Sequence, residues 1–511
     1  MKSKKPSENP LKDRWKNLLP PKQPISTGLL DFDEIQRNRE GLALRPYQLN
    51  HLGFFLNERR CIDRSDAGTG KTPLMCLWLY ARAQEDRCIW TMPKSLMAKN
   101  YEELLLWSNL KPEQIVLVDG TPEQRKKQMD WRDGRVFLMG FDSFANNWEY
   151  LRSRYSNIVH LCGDEFHKGF STHGSQDRKG RYHGPKRTVS FYSYLRKSGD
   201  MLAATGTIIN GRLTSAYPII HAINPVYYGT YNTFLAWHCI LDDWGNPVYW
   251  KNHDRLKEIL DKHGRRVTYE QAYGSENKQQ FVVMCTMGSK QRKAYAEMED
   301  KAILELDNGD FVEAKQESVA IRRCMEIMAV PEKFGIIEDN PEGKEARLAD
   351  EVETAIHEGK QLLIFEPIKA AQYKWRDLLN KMGRKAEVMN GDVTGNARMW
   401  QDKHFKSGEI TDLVCSPDVA GVGFNWGHID TIIFMGLDYQ DTTFIQNYRR
   451  AMRGERKTAL RILIFQYRSS IDKKIAEKIN AKSESRLKVE EGTSVVINTT
   501  KKNFDPFKMS F

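Results

Sequence analysis

The run Ser65-Asp66-Ala67-Gly68-Thr69-Gly70-Lys71-Thr72 follows a short apolar strand and holds the residue types that wrap backbone N–H groups around phosphates. Gly68 and Gly70, with Thr69 between them, permit backbone angles that a side chain forbids. Lys71 reaches the β- and γ-phosphates, and Thr72 ligates magnesium where a helix begins. This is the chemistry of a nucleoside triphosphate. The strict phosphate-loop pattern has glycine where Ser65 stands, so the loop is a looser version of it. Further along, the apolar run Ile158–Cys162 ends in Gly163-Asp164-Glu165-Phe166-His167. Magnesium takes hard oxygen ligands, and a water attacking a γ-phosphate needs a positioned base; Asp164 suits the first role and Glu165 the second. Standing alone, an acidic pair after a strand is as often a solvated turn. The loop upstream favours the metal and the base.

Two later segments extend the constellation. Leu202-Ala203-Ala204-Thr205-Gly206-Thr207 is followed by Asn210, and the run Gln446-Asn447-Tyr448-Arg449-Arg450-Ala451-Met452-Arg453 lies far downstream. If that run is helical, Gln446, Arg450 and Arg453 fall at i, i+4 and i+7 on one face. Two guanidiniums then meet charge developing on a phosphate. An Arg-rich helix with nothing else near it is usually a solvated face.

The elements that must position these residues read as two series of strands alternating with helices, the pattern of parallel sheets. The first runs through Cys88–Thr91, Ile115–Val118, Val136–Met139, Ile158–Cys162 and Met201–Ala204. The second runs through Leu362–Phe365, Ala386–Met389, Leu413–Ser416, Thr431–Phe434 and Arg461–Phe465. Only the first has a phosphate loop, at a strand's C-terminal end where such sheets bind ligands. Two lobes with one loop place ATP between them, with the arginines reaching across. The expected division is an arm over 1–40, a first lobe over 41–211, a helical insertion and linker over 212–345, a second lobe over 346–481 and a tail over 482–511. Asp307-Asn308-Gly309-Asp310 reads as a hairpin turn within the linker.

In motif order the chain resembles superfamily-two helicases, and more narrowly the Swi/Snf-type double-stranded-DNA translocases in a compact viral or bacterial form. The likeness spans roughly residues 41 to 475. Leu44-Arg45-Pro46-Tyr47-Gln48 looks like the adenine-sensing Q motif, Trp90–Leu96 like motif Ia and Val136–Phe144 like motif Ib. Asp164–His167 matches the DExH box and Thr205–Asn210 looks like motif III. Leu362–Phe365, Asp418–Asn425 and Gln446–Arg453 resemble motifs IV, V and VI. Met284–Gln291 with Tyr295, and Ala320–Met328, are similar to segments that the Swi/Snf branch carries between its lobes. Arg449 departs from the glycine usual before the first arginine of motif VI, Met452 from a histidine and Glu455 from a glutamine.

The resemblance implies an α/β fold of two RecA-like lobes with parallel sheets and a helical insertion between them, ATP and magnesium as cofactors, and a nucleic-acid-stimulated ATPase. By the same resemblance Gln48 reads the adenine edge, and Gln446 orients the γ-phosphoryl that Arg450 and Arg453 stabilise. His167, Thr205, Thr207 and Gly423 couple the nucleotide to the nucleic acid, and Lys94, Ser95, Ser143 and Asn390 in the 389–394 turn contact its backbone. The partner is double-stranded or branched DNA, the motor is monomeric, and the work is remodelling of protein–DNA complexes or branched DNA in repair or recombination. A strand-separating DNA or RNA helicase is the alternative. A nucleotide-gated DNA-binding scaffold is another, disfavoured by the intact Lys71, Glu165, Arg450 and Arg453.

Composition accords with this. A chain of 511 residues with 40% apolar residues is long enough for two lobes and insertions. The net charge of +11 permits a basic groove without identifying DNA. Ser171–Ser190 is basic and turn-rich, carrying Arg178, Lys179, Arg181, Lys186 and Arg187, and reads as a solvated loop or as a phosphate contact. The eight cysteines form no Cys-x-x-Cys pair, so they suggest neither a zinc knuckle nor a disulfide framework, and several sit in apolar strands, as reduced core thiols do. No apolar run reaches the about 18 residues of a membrane span, and the opening Met1-Lys2-Ser3-Lys4-Lys5-Pro6 is not followed by an apolar core. The expected location is a reducing cytoplasm.

Overall fold

The structure is a computed structural model. It describes residues 42–479 apart from 172–174, 177–181, 197–198, 207, 210–212, 242–246, 302, 306–310, 314–316, 421–422, 438–440, 453–455 and 478. The chain falls into two compact units that divide at Ser275 and Glu276.

The first unit is built on a seven-stranded sheet, every pairing of which is parallel. Its strands are β1 (Arg60–Asp63), β2 (Arg87–Met92), β3 (Ile115–Val118), β4 (Val136–Gly140), β5 (Ile158–Gly163), β6 (Met201–Ala204) and β7 (Gly264–Arg265), in the order β7-β1-β6-β5-β2-β4-β3. The strands are short, almost continuously buried apolar runs, as expected where helices cover both faces. The helices that matter below are α1 (Pro46–Asn57), α2 (Lys71–Ala83), α3 (Met97–Trp107) and α4 (Phe141–Arg154). The core joins Ile62, Ile89, Phe137, Phe144, Leu161 and Phe191.

The second unit has a six-stranded parallel sheet of β8 (Lys278–Cys285), β9 (Leu362–Phe365), β10 (Ala386–Met389), β11 (Asp412–Cys415), β12 (Thr431–Phe434) and β13 (Leu460–Tyr467), in the order β8-β13-β12-β9-β11-β10. All four residues of β9, β11 and β12 are buried. Its helices include α5 (Ser289–Lys301), α6 (Lys369–Lys381), α7 (Gly395–Ser407) and α8 (Asp441–Tyr448). Thr394 caps α7, its Oγ1 accepting from the Ala397 N–H at 3.3 Å.

Two parallel-sheet units with surrounding helices are the α/β architecture that the strand pattern implies. Each sheet also takes a strand from the 212–345 stretch read as helical insertion. β7 pairs with β1, and β8 pairs with β13 along eight residues. Pattern reading misses β7 because two residues carry no periodicity. Gly264 is there for close approach, since an added Cβ would lie 2.6 Å from the Leu260 carbonyl oxygen and 2.9 Å from that of Ile62. β8 opens on Lys278-Gln279-Gln280 and lies at the sheet edge, leaving Phe281 and Met284 exposed, so it lacks the apolar run of a central strand. Ile303–Glu305 and Phe311–Glu313 pair antiparallel, flanking the Asp307–Asp310 turn, which lies outside the described residues. All eight cysteines are buried and unpaired. Among the described residues no helix is long and apolar enough to cross a membrane.

Candidate active site

Three neighbouring strands of the first sheet end in the three motifs. β1 runs into Ser65, β6 into Thr205 and β5 into Asp164, with Asp63 and Ala204 in register across the β1–β6 pair. The Thr205 N–H donates to the Asp63 carbonyl at 2.9 Å, and the Asp164 N–H to that of Thr91 at 2.8 Å. Parallel topology therefore gathers side chains far apart in sequence at one sheet edge.

Within the phosphate loop, the Ser65 N–H donates to Asp63 Oδ1 at 2.9 Å and the Ser65 hydroxyl accepts from the Val267 N–H at 3.2 Å. The serine in a glycine position is thus a fastening to the segment just after β7. Asp66 is held to the same segment: its N–H donates to the Val267 carbonyl at 3.0 Å and its Oδ2 accepts from the Tyr269 N–H at 3.1 Å. Lys71 Nζ donates to the Ser65 and Asp66 carbonyls at 2.7 and 3.0 Å, so the amine that would meet phosphates lies along the loop. Gly70, at φ +83°, caps α2, Thr72 is the second residue of the helix and Pro73 sits in its first turn without breaking it. Gln48 is buried on α1, its Nε2 donating to the Gly70 carbonyl at 2.9 Å and its Oε1 accepting from the Arg45 N–H at 2.8 Å.

Asp164 Oδ2 accepts from Asn100 Nδ2 at 3.0 Å and its Oδ1 from the Glu165 N–H at 2.9 Å. Burial, and then the Glu165 charge, push the Asp164 carboxyl above the usual carboxylate range, against the Asn100 hydrogen bond. Glu165 adopts a left-handed backbone at φ +46°, an uncommon conformation for a side-chain-bearing residue, and opens the short helix Phe166–Gly169. His167 Nδ1 lies 2.6 Å from Thr205 Oγ1 and 3.6 Å from Glu165 Oε2. Burial lowers His167 to about 4, with Glu165 opposing, so the ring is neutral near pH 7. His167 and Thr205, expected to act together, touch; Thr207 lies outside the described residues. No cluster of three or more His, Cys, Asp or Glu side chains capable of holding a metal occurs among the described residues. One buried carboxylate and a threonine hydroxyl fit magnesium, which takes few protein oxygens and completes its shell with water and phosphate.

In the second unit α8 ends at Tyr448, and the Arg450 and Ala451 N–H groups turn back to the carbonyls of Asn447 and Tyr448 at 3.1 and 3.0 Å. The single helical face expected for Gln446, Arg450 and Arg453 is therefore interrupted after Tyr448. Gln446 and Arg450 are both buried; Arg453 lies outside the described residues. Gly423 has a φ of +89°. Arg449, unexpected where glycine is usual, has a partner: its guanidinium meets Glu276 Oε1 at 3.0 Å, and Glu276 also bonds Lys278 and the Tyr448 hydroxyl. Between Gln446 and these groups, Asn447 is fully buried, and neither polar atom of its amide has a hydrogen-bond partner among the described residues.

The expected nucleic-acid contacts fare unevenly. Lys94 and Ser95 are exposed, Lys94 pairing with Asp119 at 2.8 Å, and Ser143 sits partly exposed in the first turn of α4. Asn390 is corrected by its surroundings. It is buried, donates to Gln372 Oε1 at 3.0 Å and accepts from the Asp392 N–H at 3.0 Å, so it braces the turn after β10 and presents no amide to a ligand. Arg187 is bound to Asp142 at 2.5 and 2.6 Å. Asn100 escaped the sequence reading, although it falls on the buried stripe of α3 with Met97 and Leu104, where a polar residue is itself a signal.

Residues 343–455 match the family described as helicase conserved C-terminal domain. Over nearly its whole length the chain is similar to two curated relatives. Chromodomain-helicase-DNA-binding protein 1-like of Mus musculus is 23% identical over 494 residues, covering 92% of this chain and 52% of that protein. Chromodomain-helicase-DNA-binding protein 1 of Homo sapiens is 22% identical over 475 residues, covering 87% of this chain and 26% of that protein. The chain thus spans about half the length of the mouse relative. Among solved structures it is similar to the Sulfolobus solfataricus SWI2/SNF2 ATPase core in complex with dsDNA, at 19% identity and a TM-score of 0.38, covering 89% of this chain and 94% of that one.

Proposed function

We propose that this chain is an ATP-dependent motor that tracks double-stranded DNA and remodels protein–DNA complexes or branched DNA. The observation that carries the reading is the meeting of phosphate loop, acidic pair and Thr205 at the ends of β1, β5 and β6, with His167 bonded to Thr205. The helicase C-terminal match and the chromodomain-helicase relatives, whose names specify helicase and DNA binding, indicate a nucleic-acid-stimulated ATPase.

In this reading Lys71 releases the loop carbonyls for the β- and γ-phosphates, and Thr72 and Asp164 hold magnesium. The metal, when bound, neutralises phosphate charge. Glu165 accepts the proton of the attacking water. Neutral His167 carries the state of the acidic pair to Thr205 through one hydrogen bond. Gln446, Arg450 and Arg453 are assigned to the γ-phosphoryl by their resemblance to motif VI. Lys94, Ser95 and Ser143 are assigned to the DNA backbone, which makes binding salt-dependent and indifferent to sequence.

The test compares ATPase stimulation by duplex, single-stranded and forked DNA and by RNA. It is paired with displacement of a triplex-forming third strand and unwinding of a tailed duplex. Duplex stimulation with third-strand displacement and no duplex melting is the expected result. Robust unwinding with stimulation by single strands alone identifies a strand-separating helicase.

A further inference from the structure

Within the phosphate loop, the side chains outside it hold its carbonyl groups. The Gly68 carbonyl accepts from the Tyr273 hydroxyl at 3.1 Å, the Thr69 carbonyl from the Tyr47 hydroxyl, and the Gly70 carbonyl from Gln48 Nε2 at 2.9 Å. Three successive peptide groups are thus gripped by three donors, two from α1 and one from the short helix Tyr269–Tyr273. In a trans peptide the carbonyl and the following N–H point in opposite directions. Drawing the carbonyls of residues 69 and 70 toward Tyr47 and Gln48 therefore turns the N–H groups of Gly70 and Lys71 the other way, while the Thr69 N–H bonds to the Asp66 carbonyl at 3.4 Å. Backbone N–H groups turned away from the clamping side chains are the donors a polyphosphate needs. Gly68 and Gly70, at φ +90° and +83°, let the chain reverse sense between grips.

The donors are themselves fixed. Tyr273 lies under the Arg45 guanidinium, 4.3 Å from its ring centroid, and Arg45 Nη1 donates to the Ala272 carbonyl at 3.2 Å. Its helix is capped by Thr268 Oγ1, which accepts from the Gln271 N–H at 3.1 Å, and is tied to the loop through Tyr269 and Asp66. Tyr47 is half-buried beside Tyr273, and desolvation raises its phenol far above the usual range, so it stays a donor. Gln48 fits closely, since a Cβ on Gly70 would lie 2.6 Å from its Nε2. With Oε1 on the Arg45 N–H and Nε2 on the loop, the Gln48 amide is directed into the protein at both ends.

We propose that Tyr47, Gln48 and Tyr273 are positioning residues that clamp the phosphate-loop carbonyls, so that they govern affinity for polyphosphate whatever base is attached to it. The inference rests on the nucleotide reading above and departs from the adenine-reading role that resemblance gives Gln48.

The experiment measures dissociation constants of the full chain for magnesium complexes of ATP, GTP and tripolyphosphate, the last having no base. The parental protein is compared with Tyr273→Phe and Gln48→Ala, and thermal midpoints are recorded beside them. Losing one grip should weaken all three ligands by the same factor, about threefold to tenfold, the range of a single net hydrogen bond. The Tyr273→Phe midpoint should stay near the parental one. Weaker ATP binding in Gln48→Ala with tripolyphosphate unchanged would overturn the clamp and return Gln48 to the base. Unchanged affinities in Tyr273→Phe would overturn it as well. A parental chain that binds none of the three ligands would sink the nucleotide reading itself, a result distinct from either.

Discussion

Asn100 packs with Met97 and Leu104 on the buried side of α3, where a leucine would fill the same space, and its amide is bonded to the Asp164 carboxylate at 3.0 Å. A donor there favours the ionised acid and fixes its orientation, the two properties a magnesium ligand needs. Replacing Asn100 by Ala should raise the magnesium concentration for half-maximal ATP turnover by about tenfold or more, the usual effect of removing a partner of a metal ligand. Titrating turnover against magnesium checks it, and an unchanged midpoint reduces Asn100 to packing. At this scale residue type suggests the chemistry proposed for Lys71, Asp164 and Glu165, and parallel topology brings the loop and the acidic pair to one sheet edge. The sequence is silent where function depends on who faces whom. Nothing in the spacing announces that the Ser65 hydroxyl receives the Val267 N–H, or that Asn390 turns inward to Gln372. Both are long-range contacts fixed by topology.

The end of α8 shows what periodicity leaves out. Seven-residue spacing puts Gln446, Arg450 and Arg453 on one face of an ideal helix, yet the chain leaves the helix at Tyr448 and closes a tight turn beneath Arg450. Asn447 is enclosed at that exit with its amide unsatisfied among the described residues. A buried polar group without a partner costs about 1–3 kcal/mol, so an apolar residue of similar size should gain part of that. We expect Asn447→Leu to stabilise the protein by about 1 kcal/mol, measured by urea unfolding. A loss of stability would mean the pocket is polar after all. Central strands such as β5, β9 and β12 are readable because burial on both faces leaves a nearly continuous apolar run. Edge elements escape, because β7 is too short for a pattern and β8 shows solvent one face of its chain.

Over the whole molecule, two parallel sheets follow from the alternation of strands and helices, while the division at Ser275 and Glu276 does not, because each sheet recruits a strand from the segment that looked like linker. The acid stability of the chain can be argued from groups the sheets enclose. His221 stacks on Tyr217, lies edge-on to Tyr192, and is lowered to about 4 by burial and then by the Arg60 charge. An unfolded chain protonates histidine near 6.5, so between roughly pH 6.5 and 4 the unfolded state binds more protons. Stability is then fully present above that window and falls as pH drops through it. Replacing His221 by Phe should flatten the slope of unfolding free energy against pH by nearly one proton there, as read from urea midpoints at several pH values. An unchanged slope would place the titration elsewhere. The eight enclosed thiols carry a further consequence. Burial pushes Cys285 and Cys324 up to about 11 and Cys239 to about 12, so these sulfurs are both shielded and poorly ionised. A maleimide dye offered to the native chain therefore finds no ready target, and a single cysteine introduced on each unit makes a doubly labelled reporter for energy transfer without first removing any natural one.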